Sequence, residues 1–141
     1  MKPYARRKAR FLALQAIYQW QLNVDSVANI KLQFLDKINS KKVDATYFND
    51  LLDGVINDVA GIDQAITPFL DRKIAELDEV ELAVLRLAAF ELMQRLDVPY
   101  KVVIDEALEL TKNFGSTLGY KYVNGVLDKA ARQLRPSEFK S

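Results

Sequence analysis

The 141-residue sequence contains no cysteine and no histidine. The first absence excludes disulfides, thiolate metal sites and thiol nucleophiles. The second removes the commonest general base, the commonest metal ligand and every Ser–His or Cys–His nucleophile system. Glycine is sparse, with five residues at 54, 61, 115, 119 and 125, and none belongs to a phosphate-cradling G-x-x-x-x-G-K-[ST] loop. Gly115 and Gly119 fit G-x-x-x-G, but in a polar turn where membrane pairing is not credible. No uninterrupted apolar run approaches the ~18 residues of a membrane-spanning helix. Carboxylates are plentiful, yet most fall on predicted exposed helix faces, and a pair such as Asp105–Glu106 reads as solvated surface because adjacent helical residues do not face each other. Catalysis is therefore not expected, and no cofactor or metal site is either.

Acidic residues are also missing from one end. Residues 1–24 carry Lys2, Arg6, Arg7, Lys8 and Arg10 and no acid before Asp25. The other 117 residues hold 15 basic and 19 acidic side chains, so a formal net charge of +1 conceals a basic head on a mildly acidic body. A secretory signal would need an apolar stretch after these charges, and FLALQAIYQWQL is broken by Gln15, Gln19 and Gln21. An organelle presequence, Arg-rich, acid-free and amphipathic, fits the composition better. Against it, the apolar stripe of the segment reads as core.

What is present is helical periodicity. Half the residues are apolar, enough for the core of a single domain over 1–141. Ala9, Leu12, Ala13, Ala16, Ile17 and Trp20 form a stripe on a first helix that Pro3 can open and that ends near Asn23. Ser26 caps a short second helix bearing Ile30, Phe34 and Ile38. Asp44 caps a third, with Phe48, Leu51, Leu52, Val55 and Val59, and Gly61 and Pro68 set 62–70 apart as a separate or kinked turn. Residues 77–96 are apolar on almost every face, from Val80 to Leu96, which predicts a central helix packed by several neighbours. Pro99 opens a helix burying Val103, Ala107, Leu110 and Phe114, with Gly115 as its stop. After the loop 116–119, a last helix buries Val123, Leu127, Ala130 and Leu134. Arg135-Pro136 ends it, leaving a loose tail at 137–141. The expected fold is all-α, six to seven helices in two small three-helix bundles, about 1–70 and 71–136, sharing an interface.

Two clusters point to an anionic ligand. Arg6 and Arg10 are one helical turn apart with Arg7 adjacent, and their mutual repulsion would be relieved by an anion. Tyr4 and the helix N-terminus add to this site. A solvated basic face is the plainer reading. Later in the chain, Tyr100 and Lys101 begin one helix, and Tyr120, Lys121, Tyr122 and Asn124 begin another. Rings, cations and amides interleaved in this way suit single-stranded RNA, whose unstacked bases stack on aromatics. Gly125 is anomalous within a helix; close helix packing and close approach of a ligand both explain it.

The segments ARRKAR (5–10), ALQAIYQWQ (13–21), LDEVELAVLRLAAFEL (77–92), DVPYKVVIDEALELTKNFG (97–115) and KYVNGVLDKAAR (121–132) resemble the NusB family of bacterial transcription antitermination proteins. The resemblance runs from the first residues to about 136. It implies two three-helix subdomains. It implies binding to boxA, a single-stranded element of nascent ribosomal RNA, together with NusE, a small-subunit ribosomal protein. It further implies assembly with NusA and NusG on RNA polymerase, in the cytoplasm. RNA contact would fall on Lys2, Tyr4, Arg6, Arg7 and Arg10, and on Tyr100, Lys101, Lys121, Tyr122 and Asn124. Tyr18 and Glu81 match positions associated with the NusE surface. The loop 116–119 lacks the acidic residues often found there, and Tyr122 stands where Phe is common. Two alternatives compete. A NusB-like domain also begins some ribosomal-RNA cytosine methyltransferases, which need a catalytic domain and a reactive Cys. A helical adaptor that binds protein alone would leave the basic head unexplained.

Overall fold

The computed structural model describes residues 3–23, 25–115 and 117–140, with the side chains of Thr117 and Leu118 outside the description. Among the described residues there are seven α-helices, three short 3₁₀ turns and no strand. No helix among them is long and apolar enough to cross a membrane. The helices group into two units, Met1–Asn57 and Asp58–Ser141.

The first unit holds α1 (Pro3–Gln21), α2 (Val27–Ile38) and α3 (Ala45–Asn57). Pro3 takes the first position of α1, where its missing N–H is no loss. Ala9, Ala13 and Ala16 of the predicted stripe are buried, as is Ala5, and such small side chains let α3 approach closely. Past the end of α1 the chain turns at Asn23, whose φ of 55° is left-handed and whose N–H donates to Trp20 O at 3.0 Å. Asparagine is one of the few residues that adopts this conformation readily. Ser26 caps α2 as expected, its Oγ accepting from the Asn29 N–H at 3.2 Å. Ile30, Phe34 and Ile38 are buried, and Phe34 meets Phe48 of α3 with ring centroids 5.8 Å apart.

The second unit holds α4 (Val59–Ile66), α5 (Glu79–Gln94), α6 (Tyr100–Phe114) and α7 (Thr117–Leu134), with 3₁₀ turns at Thr67–Phe69, Ile74–Glu76 and Pro136–Phe139. Helix α5 is central: α4, α6 and α7 all pack on it, and Leu82, Ala83, Val84, Leu85, Leu87, Ala88, Ala89 and Leu92 are buried around its circumference. Asp78 caps it by accepting from the N–H groups of Val80 and Glu81 at 3.0 and 3.1 Å. Leu96, assigned to the core from the pattern, lies past the end of α5 and is 70% exposed.

Two boundaries differ from the sequence reading, and one cap differs in conformation. The division falls at 57/58 rather than near 70, because α4 packs on α5 and is tied to it by a two-pronged ion pair. Arg86 Nε and Nη2 donate to the Asp63 carboxylate at 3.0 and 2.9 Å. The last helix starts at Thr117, so Gly119 lies within its first turn. Gly115 does stop α6, but in an extended conformation (φ −111°, ψ −168°).

The tail is not loose. Arg135, 5% exposed, turns back onto the end of α5: its Nε donates to Leu92 O at 2.7 Å, and its Nη2 to Glu91 O at 3.1 Å and Arg95 O at 2.9 Å. The last carbonyls of a helix have no intrahelical donors and favour a cation. Arg135 also donates to the Glu138 carboxylate. Glu138 in turn accepts the Tyr100 N–H at 3.1 Å, at the first residue of α6, where an anion is favoured. Phe139 then stacks on Tyr100, ring centroids 4.2 Å apart. The local pattern after Arg135-Pro136 carried no sign of this, because every partner is distant in sequence.

Arg135→Met keeps most of the apolar stem and removes the donors to Leu92 O, Glu91 O and Arg95 O; the last two still accept the N–H groups of Arg95 and Val98, whereas Leu92 O loses its charged donor. It should lower stability by about 2 kcal/mol, measured by urea unfolding. Glu138→Gln retains an acceptor for the Tyr100 N–H and should cost far less.

Candidate nucleic-acid interface

In the first unit, the basic head lies on α1 and α3 governs it. Arg6 and Arg10 project along one face, and the Tyr47 ring of α3 lies beneath both, 4.4 and 5.3 Å from the two guanidinium carbons. Tyr47 is 1% exposed and Arg10 only 3%. Asp44 makes three connections. Its N–H donates to Ala5 O of α1 at 3.1 Å, one carboxylate oxygen caps α3 by accepting the Tyr47 N–H at 3.1 Å, and the other lies 3.9 Å from Arg6 Nε. The repulsion expected between Arg6 and Arg10 is thus answered within the chain, by a ring quadrupole and a carboxylate. Arg10 is drawn inward rather than offered to solvent, a correction to its placement on an open basic face. Arg6 is half-buried, whereas Tyr4, Arg7 and Lys8 are exposed, with the Lys8 ammonium 5.7 Å from the Tyr4 ring centroid. Lys2 lies outside the described residues. Tyr18, on the same helix, is half-buried.

In the second unit, Tyr122 of α7 is half-buried. Its hydroxyl accepts the Asp71 N–H at 3.4 Å, and the Arg72 guanidinium covers one ring face, 4.7 Å from the centroid. Arg72 also grips the Asp71 carboxylate with Nε at 2.6 Å and Nη2 at 3.0 Å. Each group shifts accordingly. Hydrogen bonding to Arg72 holds the Asp71 carboxyl below its ordinary range, and the same contact raises Arg72. Burial is the main reason the Tyr122 phenol is pushed up.

Glu81 belongs to the same neighbourhood. Its carboxylate lies over Gly119, where an added Cβ would sit 2.8 Å from Oε2, so a larger residue at 119 would require the Glu81 side chain to shift. Burial, then the nearby Asp78 charge, raise the Glu81 carboxyl, and Arg72 partly opposes them. Sequence reasoning assigned Glu81 to a protein surface and Tyr122 to an RNA surface. Arg72, which it did not single out, stands between them. The link was hidden because residues 71–72 sit in a connecting segment with no periodic pattern; Tyr47 was likewise missed because it precedes the apolar stripe of α3.

The late cluster is not one patch. Lys121 and Asn124 are exposed on α7 beside Tyr122. Tyr100 instead stacks on Phe139, which carries the Arg132 guanidinium 4.8 Å from its centroid. Arg132 follows Tyr122 by ten residues, roughly 15 Å along the helix at 1.5 Å per residue. Lys101, next to Tyr100, is exposed.

Comparison with known proteins gives one consistent result. The NusB family profile matches residues 7–132. The transcription antitermination protein NusB of Idiomarina loihiensis is 57% identical over 137 residues, covering 97% of this chain and 99% of the relative. That of Alcanivorax borkumensis is 57% identical over 136 residues, covering 96% and 91%. Among solved structures, T. maritima NusB superposes with a TM-score of 0.80 at 30% identity, covering 95% of this chain and 96% of that one. A structure of antitermination factors NusB and NusE in complex with double-stranded RNA gives 0.81 at 28% identity, covering 94% and 99%.

Two measurements probe these clusters. Asp44→Ala removes both the cap and the Arg6 contact and should cost about 1–2 kcal/mol, while Asp44→Ser retains a capping oxygen and should recover most of it. The sign for Glu81 is opposite. Its folded carboxyl holds a proton more tightly than the unfolded one, so its contribution is fully favourable only below the unfolded value and is lost as pH rises through the folded one. Glu81→Gln should therefore melt at or above the wild-type temperature at neutral pH; a clearly lower melting point there would contradict the assignment.

Proposed function

The chain belongs to the NusB family of transcription antitermination proteins, a family of non-enzymatic factors, and we propose that it binds the single-stranded boxA element of nascent ribosomal RNA together with NusE. The pair then joins RNA polymerase, with NusA and NusG, in an antitermination complex. The observation that carries this reading is the near-complete superposition on a NusB bound to NusE and RNA, over 94% of this chain.

The placement of side chains adds support. Arg7 and Lys8 offer exposed charge at the start of α1, with Tyr4 beside them and Lys2 preceding them in sequence. Arg6 contributes from its half-buried position, and Arg10 acts by positioning, through Tyr47. On α7, Lys121 and Asn124 supply a cation and an amide beside the ring of Tyr122, and Arg72 joins them as a second planar group for stacking. Lys101 adds a phosphate contact, while Tyr100 is engaged by Phe139 and serves mainly to hold the tail. Glu81 and Tyr18 are the contacts for NusE, a ribosomal protein whose basic residues would find a partner in the Glu81 carboxylate.

The RNA in the solved relative is double-stranded, which favours a second reading, duplex binding. Rings at Tyr4 and Tyr122 favour the first, because stacking on aromatic side chains requires bases out of a duplex. Titration of labelled boxA RNA and of its duplex, with and without NusE, separates the two. With the single strand, Arg7→Ala should weaken all sequences alike and make the slope of log affinity against log salt shallower by about 0.7. Tyr122→Ala should reduce sequence preference and leave that slope unchanged. An Arg7→Ala protein with the wild-type slope would remove the head from the RNA site.

A further inference from the structure

Gly125 stands in the middle of α7, with eight helical residues before it and nine after. Its φ is not positive, so no unusual backbone conformation calls for glycine. A Cβ built there meets no heavy atom within 4 Å. The contrast with Gly119 and Gly61 is sharp: a Cβ at the first would strike Glu81, and at the second Asp58. Packing does not explain Gly125, and it is exposed. Glycine is poorer than every residue but proline in a helix interior, so this position weakens α7 without any return inside the molecule.

Its neighbours show what it leaves open. Residues four apart share a helix face, so Lys121 and Lys129 flank Gly125 on either side, both exposed. Their Cα atoms are two turns apart, roughly 12 Å at 1.5 Å per residue. Asn124 and the exposed pair Asp128–Arg132, at 3.6 Å, form the adjoining row on one side, and the row on the other side turns into the core at Val126 and Ala130. Three cations against one carboxylate leave the face positive. Between the two ammonium groups lies main chain with no side chain over it.

We propose that Lys121, Gly125 and Lys129 form a track on α7 for the sugar–phosphate backbone of RNA, with Gly125 admitting the strand against the helix and the lysines taking phosphates on either side. The inference rests on the RNA-binding reading and adds Gly125 and Lys129 to it. A basic protein partner is the poorer fit, because the cations would repel it.

The test uses the full chain and fluorescein-labelled single-stranded boxA RNA. Gly125→Ala should raise the melting temperature by about 3 °C, since the methyl group meets only solvent. It should also weaken RNA binding about five- to tenfold while leaving NusE binding unchanged. Lys129→Gln should make the salt slope shallower by about 0.7, the share of one phosphate on a single strand. A stabilised Gly125→Ala protein with wild-type RNA affinity would overturn the proposal, as would loss of NusE binding with RNA binding intact. Arg7→Ala, measured in parallel, separates the two readings. If it weakens binding and Gly125→Ala does not, the track falls and the RNA function stands. If the wild-type chain binds no RNA, both fall.

Discussion

A buried guanidinium holds the second unit together. Arg135 follows the last residue of α7 and ends on the carbonyls that close α5, so it fixes one end of α7 against the helix at the centre of the unit. Its counter-ion, Glu138, sits at the start of α6. One cation and one anion thus match the negative end of one helix dipole and the positive end of another, and then pair with each other. Breaking such a group is costly because the carbonyls it serves are shielded from water. The consequence reaches the recognition face. Because α7 is pinned at its C-terminal end, the rotation that buries Val123, Val126 and Leu127 also turns Lys121, Asn124 and Gly125 outward.

The recognition residues are held rather than left to solvent. Tyr47 and Asp44 orient Arg6 and Arg10; Asp71 and Arg72 hold Tyr122. Such contacts reduce the side-chain entropy lost on binding, which is how a modest surface reaches useful affinity. They also compete. A phosphate that draws Arg72 away must overcome a two-pronged bond to Asp71, and a strand that stacks on Tyr122 finds one face already covered. Because Arg72 also acts on Glu81, a ligand that moves it alters the field at the carboxylate assigned to NusE. Any resulting coupling between the two ligands is reciprocal.

The helices were legible because their signals are local. Ser26 and Asp44 cap where the sequence places them, and the buried positions of α2, from Ile30 to Ile38, follow the period without exception. The hidden features depend on partners far away in the chain. Arg10 reads as a surface charge until Tyr47 is found beneath it. The tail reads as loose until Glu138 meets Tyr100. The loop at 116–119 reads as a turn from its glycine, whereas Gly119 lies in the first turn of α7 beneath the Glu81 carboxylate. Of the candidate site, Tyr4, Arg7, Lys101, Lys121 and Asn124 were placed at the surface by simple periodicity. Tyr100 and Arg10 read as surface residues too, but each is claimed by a contact that no local pattern encodes.

The bond between Asp44 N–H and Ala5 O joins the start of α3 to the start of α1. During synthesis the N-terminus leaves the ribosome first, and units fold as their residues become available. The basic head therefore emerges as an unanchored cationic peptide, and remains one until α3 follows it out. Tyr47 and Asp44 lie three residues apart, so the first turn of α3 is what caps that helix, ties it to α1 and gathers Arg6 and Arg10. The order of translation thus delays completion of the arginine face until the three-helix unit can support it.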